Sequence, residues 1–269
     1  MSPGAIAGLV ASGSTASSPV GGPFSFTRGE YFMSRLFLVR HGQATTFSGD
    51  YDRLSPLGEK QSRRLGDYWA KWGLIFTRVY IGPRRRHRQT HDLVAATYRR
   101  HGLAWPEPIV LPELDEFQSD RLLERVLPEL QRRDPSIGEA VATFREGGER
   151  AKRAFGRLFV KITRMWVRGE LNVPDVESWP AFRARVQAGV RQMIAGVERG
   201  RAVVAFTSGG PVAAAVGYAL DLSDEKALEL SWIVRNAGYA EFLFSEGRFS
   251  LYAFNATPHL DAPDLLTYR

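Results

Sequence analysis

Apolar positions follow two different periods along this chain. Runs that are apolar at every position occur at Leu36–Val39, Val79–Ile81 and Ala202–Phe206. Such runs are typical of strands buried on both faces of a sheet. Residues 239–245 and 248–254 instead alternate in polarity on either side of a glycine turn, which predicts a β-hairpin.

Helical periodicity fills the stretches between these runs. Ser55-Pro56 predicts a helix start, since serine is a good N-cap and proline fits the first helical position. The other predicted helices run from about Arg86 to Arg100, from about Ser178 and from Pro211 to Leu220, with three more after Asp120 that have no strand between them. This alternation predicts an α/β three-layer sandwich with a mostly parallel central sheet and helices on both faces. The strandless middle predicts an inserted helical cap at about 117–179.

Composition narrows the choice of partners. The chain has 269 residues, 44% of them hydrophobic, which suffices for a folded core. Its 36 Lys and Arg against 29 Asp and Glu give a formal charge of +7, which favours acidic partners such as phosphorylated metabolites, nucleic acid or anionic lipid. We expect neither nucleic acid nor membrane partners, since the sequence has no motif that reads RNA or DNA and no apolar stretch near the roughly 20 residues that span a bilayer. The lack of cysteine excludes disulfides, thiolate metal sites and a cysteine nucleophile.

The first 32 residues differ from the rest. They are rich in Gly, Ser, Ala and Pro and carry no charged side chain before Arg28. A segment so poor in large apolar residues does not offset the entropy of ordering, so we expect residues 1–32 to be a flexible or disordered leader and 33–269 to be the folded domain. Because no basic start precedes its short apolar stretch, we do not expect a signal peptide, and we expect a cytoplasmic protein.

Polar side chains follow three of the predicted strands. They lie at residues 40–43, 84–88 and 207–210. Ligands of open α/β sheets bind outside the carboxyl ends of the strands, so these clusters predict one site.

Three ordered blocks carry most of this polar chemistry. Residues 38–43 read Leu-Val-Arg-His-Gly-Gln, residues 54–61 read Leu-Ser-Pro-Leu-Gly-Glu-Lys-Gln, and residues 82–90 read Gly-Pro-Arg-Arg-Arg-His-Arg-Gln-Thr. The first resembles the Arg-His-Gly signature of the histidine phosphatase superfamily, also called the phosphoglycerate mutase-like proteins. The second resembles that family's next block, and the third its Ser-Pro-x-x-Arg-Ala-x-Gln-Thr block, with Arg86 on the second arginine. The resemblance spans residues 33 to about 254 and implies a phosphatase or phosphotransfer protein that needs no cofactor.

The residue types fit phosphoryl transfer. Arg40 and Arg86 are candidates to clamp the phosphoryl group, because guanidinium groups are always charged and donate in a fork. His41 is the candidate nucleophile, since an imidazole that is neutral near pH 7 can attack phosphorus and form a phosphohistidine. Gln43 and Gly209 are further candidates for substrate binding.

The leaving oxygen needs a proton, which predicts a carboxylic acid opposite the nucleophile. Residues 111–116, Leu-Pro-Glu-Leu-Asp-Glu, resemble the family's Leu-x-Glu segment. We place the acid at Glu116, with Glu113 as the alternative.

One departure from the family pattern stands at position 208. Family members usually have a histidine in a His-Gly-Gly turn after the late strand, whereas this chain has Ser208-Gly209-Gly210. Backbone N–H groups at the start of the following helix could still bind phosphate through Ser208 and Gly209. Loss of a charge-assisted donor costs about 1.5 to 3 kcal/mol, roughly ten- to a hundredfold in rate. We therefore expect a slow or specialised phosphatase rather than a mutase.

Other histidines and other functions stay open. His259 follows the hairpin and could fold back over the sheet to compensate for Ser208. His87 and His91 share one helix face but lack a third ligand, so we expect no metal.

The expected partner is a phosphorylated small molecule or a phosphoprotein. The alternative function is a binding module that kept the phosphate cradle and lost turnover.

Overall fold

Side chains of the first strand, β1 (Ser34–Arg40), pack alternately into two apolar cores. The structure is a computed structural model that describes residues 33–45, 52–146, 148–171 and 173–268. Leu36 and Leu38 lie in one core, and Phe37 and Val39 lie in the other. Because successive side chains of a strand point to opposite faces, a strand that is apolar at every position needs cover on both sides.

Within the described residues, one sheet contains six strands. They are β1, β2 (Phe76–Ile81), β3 (Pro108–Val110), β4 (Ala202–Thr207), β5 (Tyr239–Ser245) and β6 (Arg248–Ala256). Their order across the sheet is β3-β2-β4-β1-β5-β6. The first four of these are parallel to one another, and the hairpin β5–β6 is antiparallel at one edge. The predicted mostly parallel α/β sheet and the predicted hairpin are confirmed.

Helices cover both faces of this sheet. They are α1 (Pro56–Lys71), α2 (Arg85–Arg100), α3 (Ser119–Arg133), α4 (Pro135–Glu146), α5 (Gly148–Val167), α6 (Trp179–Ile194), α7 (Gly209–Leu220) and α8 (Asp224–Ile233), with short 3-10 turns at Pro112–Leu114 and Pro263–Leu265. The core that contains Phe37 is closed by α1 and α2, through Trp69 and Tyr98 among others. The core that contains Leu36 is closed by helices of the second half, through Phe182 and Val212 among others.

Two elements are absent from the sequence prediction. β3 has only three residues, starts at a proline and exposes Ile109 and Val110, so it shows neither a buried run nor a regular alternation. α8 has almost no segregation of apolar side chains to one face, although Ala227 and Leu228 are buried. Neither element therefore carries the period that reveals a strand or a helix.

The helical middle of the chain packs against other helices, with α5 in contact with α6 and α8. The helices α3, α4 and α5 follow one another, and the described residues between Ser119 and Val167 form no strand. Leu122, Val126 and Ile162 from this segment share the apolar core that contains Leu36. The role of this segment as a cap stays a prediction. The predicted leader, residues 1–32, lies outside the described residues.

No helix in the described part of the chain is both long enough and apolar enough to cross a bilayer.

Candidate active site

The three polar clusters meet at one edge of the sheet. The strands β1 and β4 are in register up to their last residues, Arg40 and Thr207. The next residues, His41 and Ser208, therefore leave the sheet side by side, and the His41 N–H donates to the Thr207 carbonyl at 2.9 Å. Gly82, which follows β2, donates its N–H to β4 at 2.9 Å as well. The position of these clusters at neighbouring carboxyl ends is what the strand pattern predicts.

The imidazole of His41 is buried and its tautomer is fixed. Its side chain is 3% exposed, and Nδ1 donates to the carbonyl of Gly42 at 2.7 Å. A carbonyl oxygen only accepts, so Nδ1 carries the proton and Nε2 keeps its lone pair. Burial lowers the pKa of His41 well below 6.5, and the positive charges of Arg86 and Arg40 lower it further. The ring is therefore neutral and nucleophilic at neutral pH.

Two buried guanidinium groups flank this ring. Arg86, in the first turn of α2, pairs with Asp52 at 2.9 Å and donates to the Ser208 hydroxyl at 3.3 Å. Arg40 donates to the carbonyl of Val234. Both arginines are less than one-tenth exposed. Buried positive charges of this kind favour a dianionic ligand such as a phosphoryl group.

The carboxyl group of Glu116 lies against the start of α7. One of its oxygens accepts the N–H of Gly210 at 3.1 Å, and the other accepts the N–H of Phe117 at 3.0 Å. Burial raises the pKa of Glu116, against the opposing effects of these hydrogen bonds and of Arg86. A methyl group at position 210 would lie 2.0 Å from a carboxyl oxygen of Glu116, so this contact requires glycine at 210.

The alternative acid, Glu113, is directed elsewhere. A methyl group at Gly189 of α6 would lie 2.8 Å from the Cβ of Glu113. The backbone carbonyl of Glu113 accepts from Arg185, also on α6, at 2.9 Å. Glu113 therefore packs on α6, while Glu116 reaches the turn that contains Ser208.

Gln43 holds the loop after β1 against the start of α1. Its backbone N–H donates to Gln61 at 2.9 Å, and its side-chain oxygen accepts from the Ser55 hydroxyl at 2.8 Å. Ser55 in turn caps α1 by accepting the N–H of Gly58. The predicted N-cap is confirmed, whereas contacts of Gln43 and Gly209 with substrate stay predictions.

Sequence reasoning gave no role in the site to two polar neighbours of this cluster, His87 and Asp52. His87 is fully buried, and its Nε2 lies 2.7 Å from the Ser208 hydroxyl. Its ring centre is 5.9 Å from that of His41. Asp52 holds Arg86 and also accepts the backbone N–H of Arg85 at 2.8 Å. The signal for His87 is its place beside Arg86 in the first turn of a predicted helix that starts at a strand end.

His91 takes no part in this cluster. Its Nδ1 lies 2.7 Å from Asp92, and its Nε2 accepts from Trp105 at 3.0 Å. Over residues 33–45, 52–146, 148–171 and 173–268, no group of three or more His, Asp or Glu side chains is arranged to hold a metal ion.

His259 packs as an aromatic side chain. Its ring stacks on Tyr239 and tilts against Tyr68, with centre separations of 6.4 and 6.3 Å. Burial lowers the pKa of His259 to about 3, and the charge of Arg64 adds a smaller effect in the same direction. These contacts place the ring with the tyrosines, and the proposed compensation for Ser208 stays a prediction.

The buried neutral His259 predicts a loss of stability in acid. Between pH 6.5 and about 3 the unfolded state binds a proton that the folded state does not, so the free energy of unfolding falls as the pH falls. The contribution of His259 is about 1.4 kcal/mol per pH unit between roughly pH 6 and 4. Urea unfolding at several pH values should therefore show a shallower pH dependence for His259→Phe than for the unchanged protein. Equal slopes for the two proteins would contradict this assignment.

Comparison with known proteins agrees with the geometry. A model of the histidine phosphatase superfamily (branch 1) matches residues 36–159 and 150–257. A broad-specificity phosphatase of Saccharomyces cerevisiae is 38% identical over 66 residues, which cover 22% of this chain and 29% of the yeast protein. The match to the crystal structure of phosphoglycerate mutase from Bacillus anthracis covers 85% of this chain and 96% of the mutase chain, with a TM-score of 0.56 and 14% identity. The match to a mutant phosphoserine phosphatase from Entamoeba histolytica in complex with phosphoserine covers 85% of this chain and 100% of the phosphatase chain, with a TM-score of 0.52 and 17% identity.

Proposed function

Because the chain belongs to the histidine phosphatase superfamily, we propose that it hydrolyses phosphate monoesters through a phosphohistidine on His41. One observation carries this proposal. His41 is a buried, neutral imidazole whose tautomer leaves Nε2 with a lone pair, and it lies between two buried guanidinium groups. That arrangement suits a nitrogen that attacks a negatively charged phosphorus centre.

The first step transfers the phosphoryl group to the protein. Arg40 and Arg86 bind its oxygens and offset the charge that repels a nucleophile. Nε2 of His41 attacks phosphorus, the N–P bond forms and the ester O–P bond breaks. Glu116, whose raised pKa keeps a larger fraction of the carboxyl group protonated, donates its proton to the leaving oxygen.

The second step returns the protein to its starting state. The Glu116 carboxylate takes a proton from water, the water oxygen attacks phosphorus and the N–P bond breaks. Inorganic phosphate leaves and His41 is again neutral. No step requires a metal ion or an organic cofactor.

A cavity of about 500 Å³ borders Glu116 on the side of the predicted cap. Its walls come from residues around Gln118, before α3, and from residues 174–177, before α6. We assign this cavity to the leaving group, so the segment that the sequence predicts as a cap would set substrate selectivity. The related phosphoserine phosphatase, whose structure holds phosphoserine, supports a phosphorylated small molecule as the substrate. A phosphoprotein substrate and a cytoplasmic location stay predictions.

A trapped adduct tests this proposal directly. The protein is mixed with a ³²P-labelled aryl phosphate and quenched in alkali, and the labelled peptide is mapped. We expect an acid-labile, alkali-stable label on His41, because a phosphoramidate is hydrolysed in acid. His91→Gln, on the same helix as Arg86 but outside the cluster, should keep the label.

Two other results would contradict the proposed function. Turnover without any label on His41 would contradict the phosphohistidine route. Thermal stabilisation by phosphate without turnover of any ester would favour the binding module instead.

A further inference from the structure

Three positions at which this chain departs from the motifs quoted above lie in contact with one another. Gly82 stands where the third block has serine, His87 where it has alanine, and Ser208 where the late turn has histidine. The Nε2 of His87 lies 2.7 Å from the Ser208 hydroxyl. A methyl group at Gly82 would lie 2.4 Å from the Nδ1 of the same ring. The three departures therefore meet at one imidazole.

Packing makes these departures depend on one another. His87 and Ser208 are both fully buried. A ring at position 208 has no room while the ring of His87 is in place, and a side chain at 82 would overlap that ring. A histidine at 87 thus needs a glycine at 82 and a small residue at 208.

The ring of His87 also lies among the groups that the proposed reaction uses. Its centre is 5.9 Å from that of His41. The Ser208 hydroxyl that it contacts also accepts from Arg86 at 3.3 Å. Imidazole, hydroxyl and guanidinium therefore form one hydrogen-bonded group beside the nucleophile.

We propose that His87 supplies, from α2, the second imidazole that this site lacks at position 208. In this role its ring, together with the Ser208 hydroxyl, binds an oxygen of the phosphoryl group during transfer. The proposal rests on the proposed function for its catalytic part, since the group to be bound is the transferring phosphoryl group. An imidazole at position 87 in this role would offset the loss of rate that the sequence alone predicts for serine at position 208.

The charge balance of the site fits this role. His87 is neutral, because burial and the charges of Arg86 and Arg84 lower its pKa well below 6.5. A bound phosphoryl dianion brings two negative charges next to the ring and raises its affinity for a proton. The ring therefore becomes a stronger donor when phosphate is present.

Exchange of the two side chains tests the proposal. His87→Ala should lower kcat/KM for an aryl phosphate by about ten- to a hundredfold. Ser208→His should also be impaired, because its new ring has no room. The double variant His87→Ala/Ser208→His moves the imidazole from α2 to the turn after β4. It should recover activity to within about fivefold of the unchanged protein.

Further variants separate this role from a purely structural one. His87→Phe keeps an aromatic ring but has no nitrogen, so it should lose as much activity as His87→Ala while keeping its melting temperature nearer to that of the unchanged protein. His91→Gln serves as the matched control on the same helix face. Full activity of His87→Ala or His87→Phe, or a double variant no better than His87→Ala, would overturn the proposal.

Vanadate binding tests His87 without any turnover. By calorimetry, His87→Ala should bind orthovanadate about ten- to a hundredfold more weakly, and the double variant should recover. If the unchanged protein hydrolyses no ester but shows this pattern, the assignment of His87 stands and the proposed function fails. If hydrolysis proceeds through His41 while His87→Ala has the vanadate affinity and kcat/KM of the unchanged protein, the proposed function stands and this assignment fails.

Discussion

Replacement of His41 with alanine is expected to lower kcat/KM for an aryl phosphate by about a thousandfold or more, which corresponds to about 4 kcal/mol of transition-state stabilisation. The loss is large because the described polar neighbours of His41 are already engaged, including the imidazole of His87, whose Nε2 contacts the Ser208 hydroxyl at 2.7 Å. The Glu116 carboxyl is held by two backbone N–H groups, and the Ser208 hydroxyl is held between His87 and Arg86. Steady-state kinetics on purified protein give the measurement.

The same variant should still bind phosphate. Arg40 and Arg86 do not depend on the imidazole for their positions, since one donates to Val234 and the other pairs with Asp52. Phosphate should therefore raise the melting temperature of His41→Ala and of the unchanged protein alike. Residual activity above about one-tenth would show that His41 is not the nucleophile.

The pH dependence of kcat/KM follows from the same group. His41 must be neutral to attack, and its pKa lies well below 6.5, so the fall in activity on the acid side should also lie below pH 6.5.

The parts of the fold that were predictable are those with a strong local period. The centres of β1 and β4, Leu36–Val39 and Ala202–Phe206, are buried on both faces and apolar at every position, and α1 begins at a proline behind a serine cap. β3 and α8 lack such a period because one is short and exposed and the other is only partly buried. The order of the strands depends on pairing between distant segments, which no local pattern records.

The candidate site divides in the same way. Arg40, His41 and Arg86 could be found because each follows a recognisable strand within a short motif. The contact between His87 and Ser208 joins residues 121 positions apart and depends on where β4 lies in the sheet. Sequence reasoning noted the absent histidine at 208, but it had no means of seeing that α2 brings the imidazole of His87 into contact with Ser208.

Replacement of Glu116 with glutamine should separate substrates according to their leaving groups. An alkyl phosphate releases a strongly basic alkoxide and needs the proton, so its kcat/KM should fall by about a hundred- to a thousandfold. An aryl phosphate with an acidic phenol leaves without full protonation and should lose less than about tenfold. Glutamine keeps the size of the side chain and an oxygen that can accept the N–H of Gly210.

Glu113→Gln is the matched control, because the Cβ and Cγ of Glu113 lie against Gly189 of α6, whereas the carboxyl of Glu116 contacts Gly210 after β4. It should leave kcat/KM for both substrates close to the values of the unchanged protein.

The pH profile adds a second criterion for Glu116. Burial raises the pKa of Glu116, so alkyl phosphate hydrolysis by the unchanged protein should decline as the pH rises through that pKa and the acid loses its proton. The decline should be missing in Glu116→Gln and present in Glu113→Gln. If only Glu113→Gln lowered kcat/KM more for the alkyl phosphate than for the aryl phosphate, the general acid would be Glu113.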